Sequence, residues 1–279
     1  MKSIARSGLA LLALPLLALL FASTASAHRA WIVPAATVLS AEDAWVTFDA
    51  AVSNDIFHAD YVALRADGMT VASPDGSAVE VHNLHSGKHR TTFDLNLQVS
   101  GTYRVFMASN GLTARWESES GERRMWPARG ATPNPQGFKK EVPKKAKNLQ
   151  VTQSSRRMET FVTAGAPTNT VLKPSNVGLE LVPLTHPNDL FMGEKAQFRF
   201  LIDGKPAVGA EVSVIPAGMR YRNDQAEIKL VTDNKGFVEV EWPQAGMFWL
   251  NATYQDNRAT KPATQRRGNY TAVLEVLPQ

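Results

Sequence analysis
The sequence predicts an all-β protein built as two β-sandwiches behind a cleaved signal peptide, and three observations carry that expectation. Short runs with period-two alternation or β-branched enrichment recur along the chain between Gly, Pro, Asn and Asp turns, and helical periodicity is scarce. A length of 279 residues is comfortable for two domains of about 100–150 each. The composition, 44% apolar and 20% charged, belongs to a globular core rather than to a disordered or fibrous chain.

The elements follow in order. Lys2 and Arg6 precede an apolar run of 13 residues at 9–21, and Ala25-Ser26-Ala27 closes it as an A-x-A cleavage site. The run is too short to span a bilayer comfortably, so residues 1–27 read as a signal peptide and His28 as the first mature residue. No Cys follows the run and no later stretch reaches about 18 apolar residues, so the mature chain is expected to be exported to the periplasm without a lipid anchor or membrane span. Residues 46–52, 61–64, 78–81, 92–97 and 101–107 read as strands of a first sandwich covering 28–170. Residues 121–143 lack periodicity and are rich in Gly, Pro, Arg and Lys, which predicts a long basic loop over about 115–150. Residues 156–163 read as a strand returning to the first sheet, and a Pro- and Asn-rich connector places the boundary near 170. In 171–279, runs at 196–202, 211–215, 228–232, 237–242, 247–254 and 270–277, with an Asp203-Gly204 turn, predict a second sandwich of about seven strands.

Composition also excludes chemistry. The absence of cysteine removes disulfides, zinc–thiolate sites, iron–sulfur clusters and thiol nucleophiles, so a bound metal must be held by nitrogen and oxygen. There is no G-x-S-x-G, S-x-x-K, H-E-x-x-H, P-loop or G-x-G-x-x-G motif, and the expectation is a non-enzyme. The pairs Glu117/Glu119 and Glu239/Glu241 share strand faces, as solvated strand carboxylates commonly do. Without the signal the charge is 28 Lys+Arg against 26 Asp+Glu, about +2, which gives no reason to expect nucleic acid. Residues 115–157 hold 11 basic and 4 acidic side chains, read as a solvated loop or as a surface for an anionic partner.

Five of the six histidines, His28, His58, His82, His85 and His89, lie in the first domain; His186, before a proline in a turn, reads as structural. Cleavage gives His28 a free α-amine beside its own imidazole, so that one residue supplies two nitrogens of a chelate ring. Such groups shed protons near neutral pH, and metal competes well with protons there. A second imidazole, His58 first among the candidates, completes an N3 set suited to Cu(II), Ni(II) or Co(II). His82 and His85 fall on opposite faces of a regular strand, so a shared ion requires a kink, whereas His85 and His89 can meet across the Ser-Gly-Lys turn. The candidate ligands are therefore His28, His58, His85 and His89, against a reading in which all are ordinary exposed histidines. Trp31 and Trp45, with Pro34, are expected to pack the first strand into its sheet and hold His28 still.

The opening His28-Arg29-Ala30-Trp31-Ile32-Val33-Pro34 resembles the H-x-x-W-[LI]-x-P start of the DUF4198 family. Ser53-Asn54-Asp55-Ile56-Phe57, Pro183-Leu184-Thr185-His186-Pro187, Asp203-Gly204-Lys205-Pro206 and residues 270–278 are similar to that family too. Its members are often described as periplasmic components of cobalt or nickel uptake systems. The resemblance implies two immunoglobulin-like domains and a role in transition-metal handling; only His28 carries over as a matched position. The expectation is a periplasmic metal-binding protein that assists uptake or delivery through an inner-membrane transporter. The alternative is a non-metal β-sandwich interaction or scaffold module of the cell envelope. A copper oxygenase with an amino-terminal histidine would need an open copper facing a substrate surface, which the sequence does not offer.

Overall fold
The computed structural model describes residues 28–40, 43–128, 131 and 134–279; the signal peptide expected at 1–27 lies outside them. In chain order the elements are β1 Arg29–Pro34, β2 Val38–Leu39, β3 Trp45–Ser53, β4 Val62–Ala63, β5 Met69–Ala72, β6 Val81–Ser86, β7 Thr91–Asn96, β8 Gly101–Glu117 and β9 Arg123–Trp126. Then come α1 Pro135–Glu141, β10 Lys147–Ala164, β11 Leu179–Pro183, β12 Lys195–Ile202, β13 Lys205–Pro206 and β14 Glu211–Pro216. The last four are β15 Ile228–Val231, β16 Phe237–Glu241, β17 Gly246–Asp256 and β18 Gln265–Val276.

The all-β, two-sandwich expectation holds, with the sheets packed face to face. Among the described residues there are three sheets, and the middle one belongs to both sandwiches. It runs β15-β14-β17-β18-β10-β8-β5, with β2 and β9 at its margins. A sheet of β1, β3, β7, β6 and β4 covers one of its faces, and a sheet of β11, β12, β13 and β16 covers the other. The join is a parallel pairing of Thr152–Thr160 with Gln265–Val273. Residue 170 falls in the 3-10 turn Thr170–Leu172, yet the central sheet continues across the two halves of the chain.

Strand alternation explains how one sheet serves two cores. On β10, Val162 and Ala164 enter the first core with Phe48, Phe93 and Leu95, while Phe161 enters the second with Phe198, Phe200 and Tyr270. β1 alternates likewise. Ile32 faces the first core, and Trp31 joins Ile215, Trp249 and Val273 in a third cluster that locks β1 and β3 onto the second sandwich.

Two expectations need correction. The segment 115–150 is no long loop: β8 runs to Glu117, β9 returns along it, α1 follows, and β10 begins at Lys147. Trp126, Val142, Val151, Ala114 and Ala263 form a small core there, with Phe138 packed against it. Asn134 starts α1 by accepting a bond from the Gly137 amide at 2.6 Å, with Pro135 in the first turn. Second, Trp31 is buried at 2% exposure but Trp45 is 45% exposed. Trp45 takes the parity opposite to Val46, Phe48 and Ala50, and its ring lies against His82 instead.

Candidate functional site
The described chain begins at His28, and β1 pairs antiparallel with β3 from Arg29 opposite Ser53 to Pro34 opposite Phe48. This register puts His28 beside the 54–61 loop that leaves β3. Arg29 pins it by donating to the Asn54 carbonyl at 3.3 Å and to Gln225 Oε1 at 2.7 Å, with its guanidinium 5.5 Å from the Trp249 ring. His28 is exposed, and its ring stacks on Tyr61 at 3.8 Å between centroids, 10° from parallel.

The 54–61 loop is held from within. Asn54 donates its backbone and side-chain N–H groups to Asp60 at 2.9 and 3.3 Å, and Ser53 Oγ donates to the Asp55 carbonyl at 2.6 Å. Burial pushes the Asp60 carboxyl up, but the two Asn54 bonds, with His58 nearby, outweigh it and hold the group below the usual carboxylate range.

The histidines differ in what their nitrogens do. His89 Nδ1 lies 2.8 Å from the Tyr61 carbonyl, which can only accept, so Nδ1 carries the proton and in the neutral ring the lone pair is on Nε2. A backbone carbonyl fixing the tautomer in this way is the arrangement typical of a metal-ligating imidazole. His58 is engaged differently. Its Nε2 accepts from Arg220 Nη1 at 2.7 Å, so its lone pair is already used and a guanidinium stands beside it. His58 and His89 both line a cleft of about 430 Å³, together with Trp31, Asp49, Lys88 and Arg90. Among the described residues Asp49 Oδ1 accepts no hydrogen bond, and it lies 3.5 Å from Arg90 Nη1.

His85 is exposed and is not among the residues lining this cleft. The kink considered for His82 and His85 exists: Asn83 adopts φ +51°, and the register shifts so that His82 opposes Asp94 and His85 opposes Thr92. Both therefore share the outer sheet face that carries Trp45. Asp94 is held below the usual carboxylate range by bonds from Thr47 and Asn83, with His82 adding to the effect. His186 is structural. Burial pushes it below the ordinary histidine range against the Thr168 carbonyl, and its Nδ1 accepts from the Asn188 amide at 3.1 Å. Among the described residues no group of three or more His, Asp or Glu side chains is close enough to hold a metal ion.

His28 and His89 each contact Tyr61, the first through the Tyr61 ring and the second through its backbone carbonyl. The donor set fits a borderline transition metal only with the α-amine that cleavage after Ala27 would create: amine and imidazole from His28 and Nε2 from His89 make three nitrogens. Sequence reasoning missed Tyr61, Arg220 and Asp49, which come from separate elements and match no local motif. Among the described residues no helix is long and apolar enough to cross a membrane.

No curated protein matches the chain. Solved structures with some likeness include the D0-D1 domain of intimin, at 10% identity over 88% of this chain and 97% of that chain, TM-score 0.22. Native alpha-2-macroglobulin from Escherichia coli spanning domains MG0-NIE-MG1 gives 10% identity, 88% and 97% coverage and a TM-score of 0.21. A DUF3823 family protein from Bacteroides uniformis gives 11%, 78% and 93%, and 0.22. At such TM-scores the likeness carries no argument. The family model described as "Domain of unknown function (DUF4198)", in contrast, matches residues 25–256, and the chain belongs to that family.

Proposed function
We propose that this protein is a non-enzymatic metal-binding protein of the periplasm, which takes a divalent transition metal, Ni(II), Co(II) or Cu(II), at its processed amino terminus and passes it to an inner-membrane transporter. The observation that supports this reading best is the shared use of Tyr61: its ring orders the His28 imidazole and its carbonyl fixes the His89 tautomer with Nε2 open. An exposed chelate on a β-strand end suits a carrier, because cargo must leave as well as enter. His58 would join only if Arg220 released its Nε2. The Irving–Williams order favours copper at any such N3 site, so affinity alone does not name the physiological cargo.

The test is a titration of untagged chain beginning at His28 with each metal, against the same chain with one alanine added before His28. The extension moves the amine away from the imidazole. Binding near 1:1 that weakens about tenfold or more on extension, a loss of about 1.4 kcal/mol or greater, is the expected result. His89→Ala should weaken it by a similar factor while leaving the fold intact, since His89 lies in a hairpin turn. Weak binding that both variants leave unchanged would refute the metal site and favour the alternative, a β-sandwich interaction or scaffold module of the cell envelope.

A further inference from the structure
The face of the central sheet that β11–β13 and β16 cover is left partly bare. That outer sheet ends at Gly178 and Asp203, and the lobe of β9 and α1 begins at Trp126 and Phe138. Between them Asn110 and Leu112 of β8 and Gln153 of β10 floor a cleft of about 390 Å³. Its size is that of an ordinary small-molecule site, and it lies where two structural units meet.

The walls and the free polar groups say what fits. Trp126 and Phe138, in edge contact at 5.3 Å, form an apolar wall, and Val177, 48% exposed, adds an apolar rim. The acidic group in the cleft is already neutralised: Asp203 Oδ2 is 2.7 Å from Arg266 Nη1, and Oδ1 accepts from the Gly178 amide at 2.8 Å. Arg266 is itself filled by Asp203 and by Asp256, whose oxygens lie 3.1 and 2.5 Å from Nε and Nη2. Gln153 is used too, accepting from the Thr260 amide at 3.1 Å and donating to Asp203 at 3.4 Å. Among the described residues four lining side chains remain without a hydrogen bond or ion pair, the Asn110 carboxamide, the Trp126 indole N–H, the Thr260 hydroxyl and the exposed Lys261 ammonium, and of these only Lys261 is charged. A donor and a cation beside an apolar wall select a ligand with an apolar body and an anionic acceptor at one end.

We propose that this cleft binds a small amphiphilic carboxylate, the apolar tail against Trp126 and Phe138 and the carboxylate on Lys261 and Asn110. The proposal is independent of the metal reading, and the experiment is run without metal. Decanoate, decanol and decyltrimethylammonium, each below its micellar concentration, are titrated into the chain beginning at His28 and followed by calorimetry and by the NMR signals of the Asn110 side-chain amide and the Trp126 indole. Decanoate should bind near 1:1, shift both signals, and bind about tenfold or more tightly than the alcohol or the cation. Lys261→Glu should weaken decanoate by about tenfold with little effect on decanol, and Val177→Trp should obstruct all three. Both sites are exposed, so unchanged melting of the variants serves as the fold control. Equal affinity for the three head groups would mean a mere apolar patch and would overturn the proposal. So would decanoate binding that Lys261→Glu leaves unchanged, or no binding at all.

Discussion

Replacing Glu159 with alanine is expected to destabilise the protein by about 3–5 kcal/mol, because it removes one member of a buried charge network and leaves its partners buried. Glu159 is 2% exposed on β10 in the middle of the shared sheet. Its Oε1 accepts from the Tyr270 hydroxyl at 2.7 Å, and its Oε2 lies 3.5 Å from Arg157 Nη1. Arg157, itself buried, donates Nη2 to Ser175 Oγ at 2.9 Å and stands 3.9 Å from Glu180. Arg104 and Arg157 both lie on the Phe106 ring, at 4.7 and 5.6 Å. Two guanidinium groups thus share two carboxylates, and Glu180 is already occupied by the Ser175 and Asn176 amides at 2.8 and 2.6 Å. Without Glu159 the buried Tyr270 hydroxyl loses its acceptor and buried Arg157 loses a neighbour at 3.5 Å, whichever protonation state Glu159 holds.

Burial holds the Glu159 carboxyl above the usual range, against the pull of Arg104, Arg157 and the Tyr270 hydroxyl. The sign of the linkage follows. A carboxyl whose pKa is higher folded than unfolded keeps its proton longer in the native state. Its contribution is therefore fully present below the unfolded value, near the ordinary 4.5, and is lost as pH rises through the folded value. Glu159→Gln keeps an acceptor for Tyr270 and cannot ionise. Denaturant unfolding of wild type and Glu159→Gln from about pH 5 to 8 should show the wild type losing ground to the variant as pH rises. A difference that is flat in pH, or of opposite slope, would refute the raised carboxyl.

The strands were legible wherever one sheet face is wet. Thr91–Asn96 alternates buried and half-buried residues along its length, as its sequence predicts. The join of the two sandwiches was not, because β10 and β18 pair across more than 100 residues and no local pattern encodes a partner at that distance. The basic segment hid its order for a related reason: Trp126, Phe138 and Val142 come from a strand, a helix and a turn, so no single stretch carries a period. The Asn134-Pro135 start of α1 went unread among the surrounding prolines and basic residues. His28 is a candidate on the sequence alone, from the expected processing and the family's opening motif. Its ordering by Tyr61, and the capture of His58 by Arg220 from 162 residues away, follow only from the tertiary fold.

Trp31→Ala is expected to cost about 3–5 kcal/mol and to disturb the amino terminus as well. Trp31 fills the cluster between the sandwiches, with Ala51 and Ile56 from its own side and Ile215, Trp249 and Val273 from the other. Its Nε1 donates to Ser53 Oγ at 2.7 Å, and its ring meets Phe57 edge-on at 5.7 Å. Alanine leaves a cavity bounded by two sheets that neighbouring strands also hold in place, so collapse into it is restricted and the cost falls in the upper part of the usual range. Trp31→Phe keeps most of the apolar contact and loses the bond to Ser53, for about 1 kcal/mol. Denaturant unfolding of both variants separates packing from hydrogen bonding. On the metal-binding reading proposed above, β1 carries His28 onto Tyr61, so the alanine variant should also bind metal more weakly than wild type under conditions where both remain folded. A loss below about 1 kcal/mol for Trp31→Ala would mean that the cluster does not anchor β1, and that the shared central sheet alone holds the two sandwiches together.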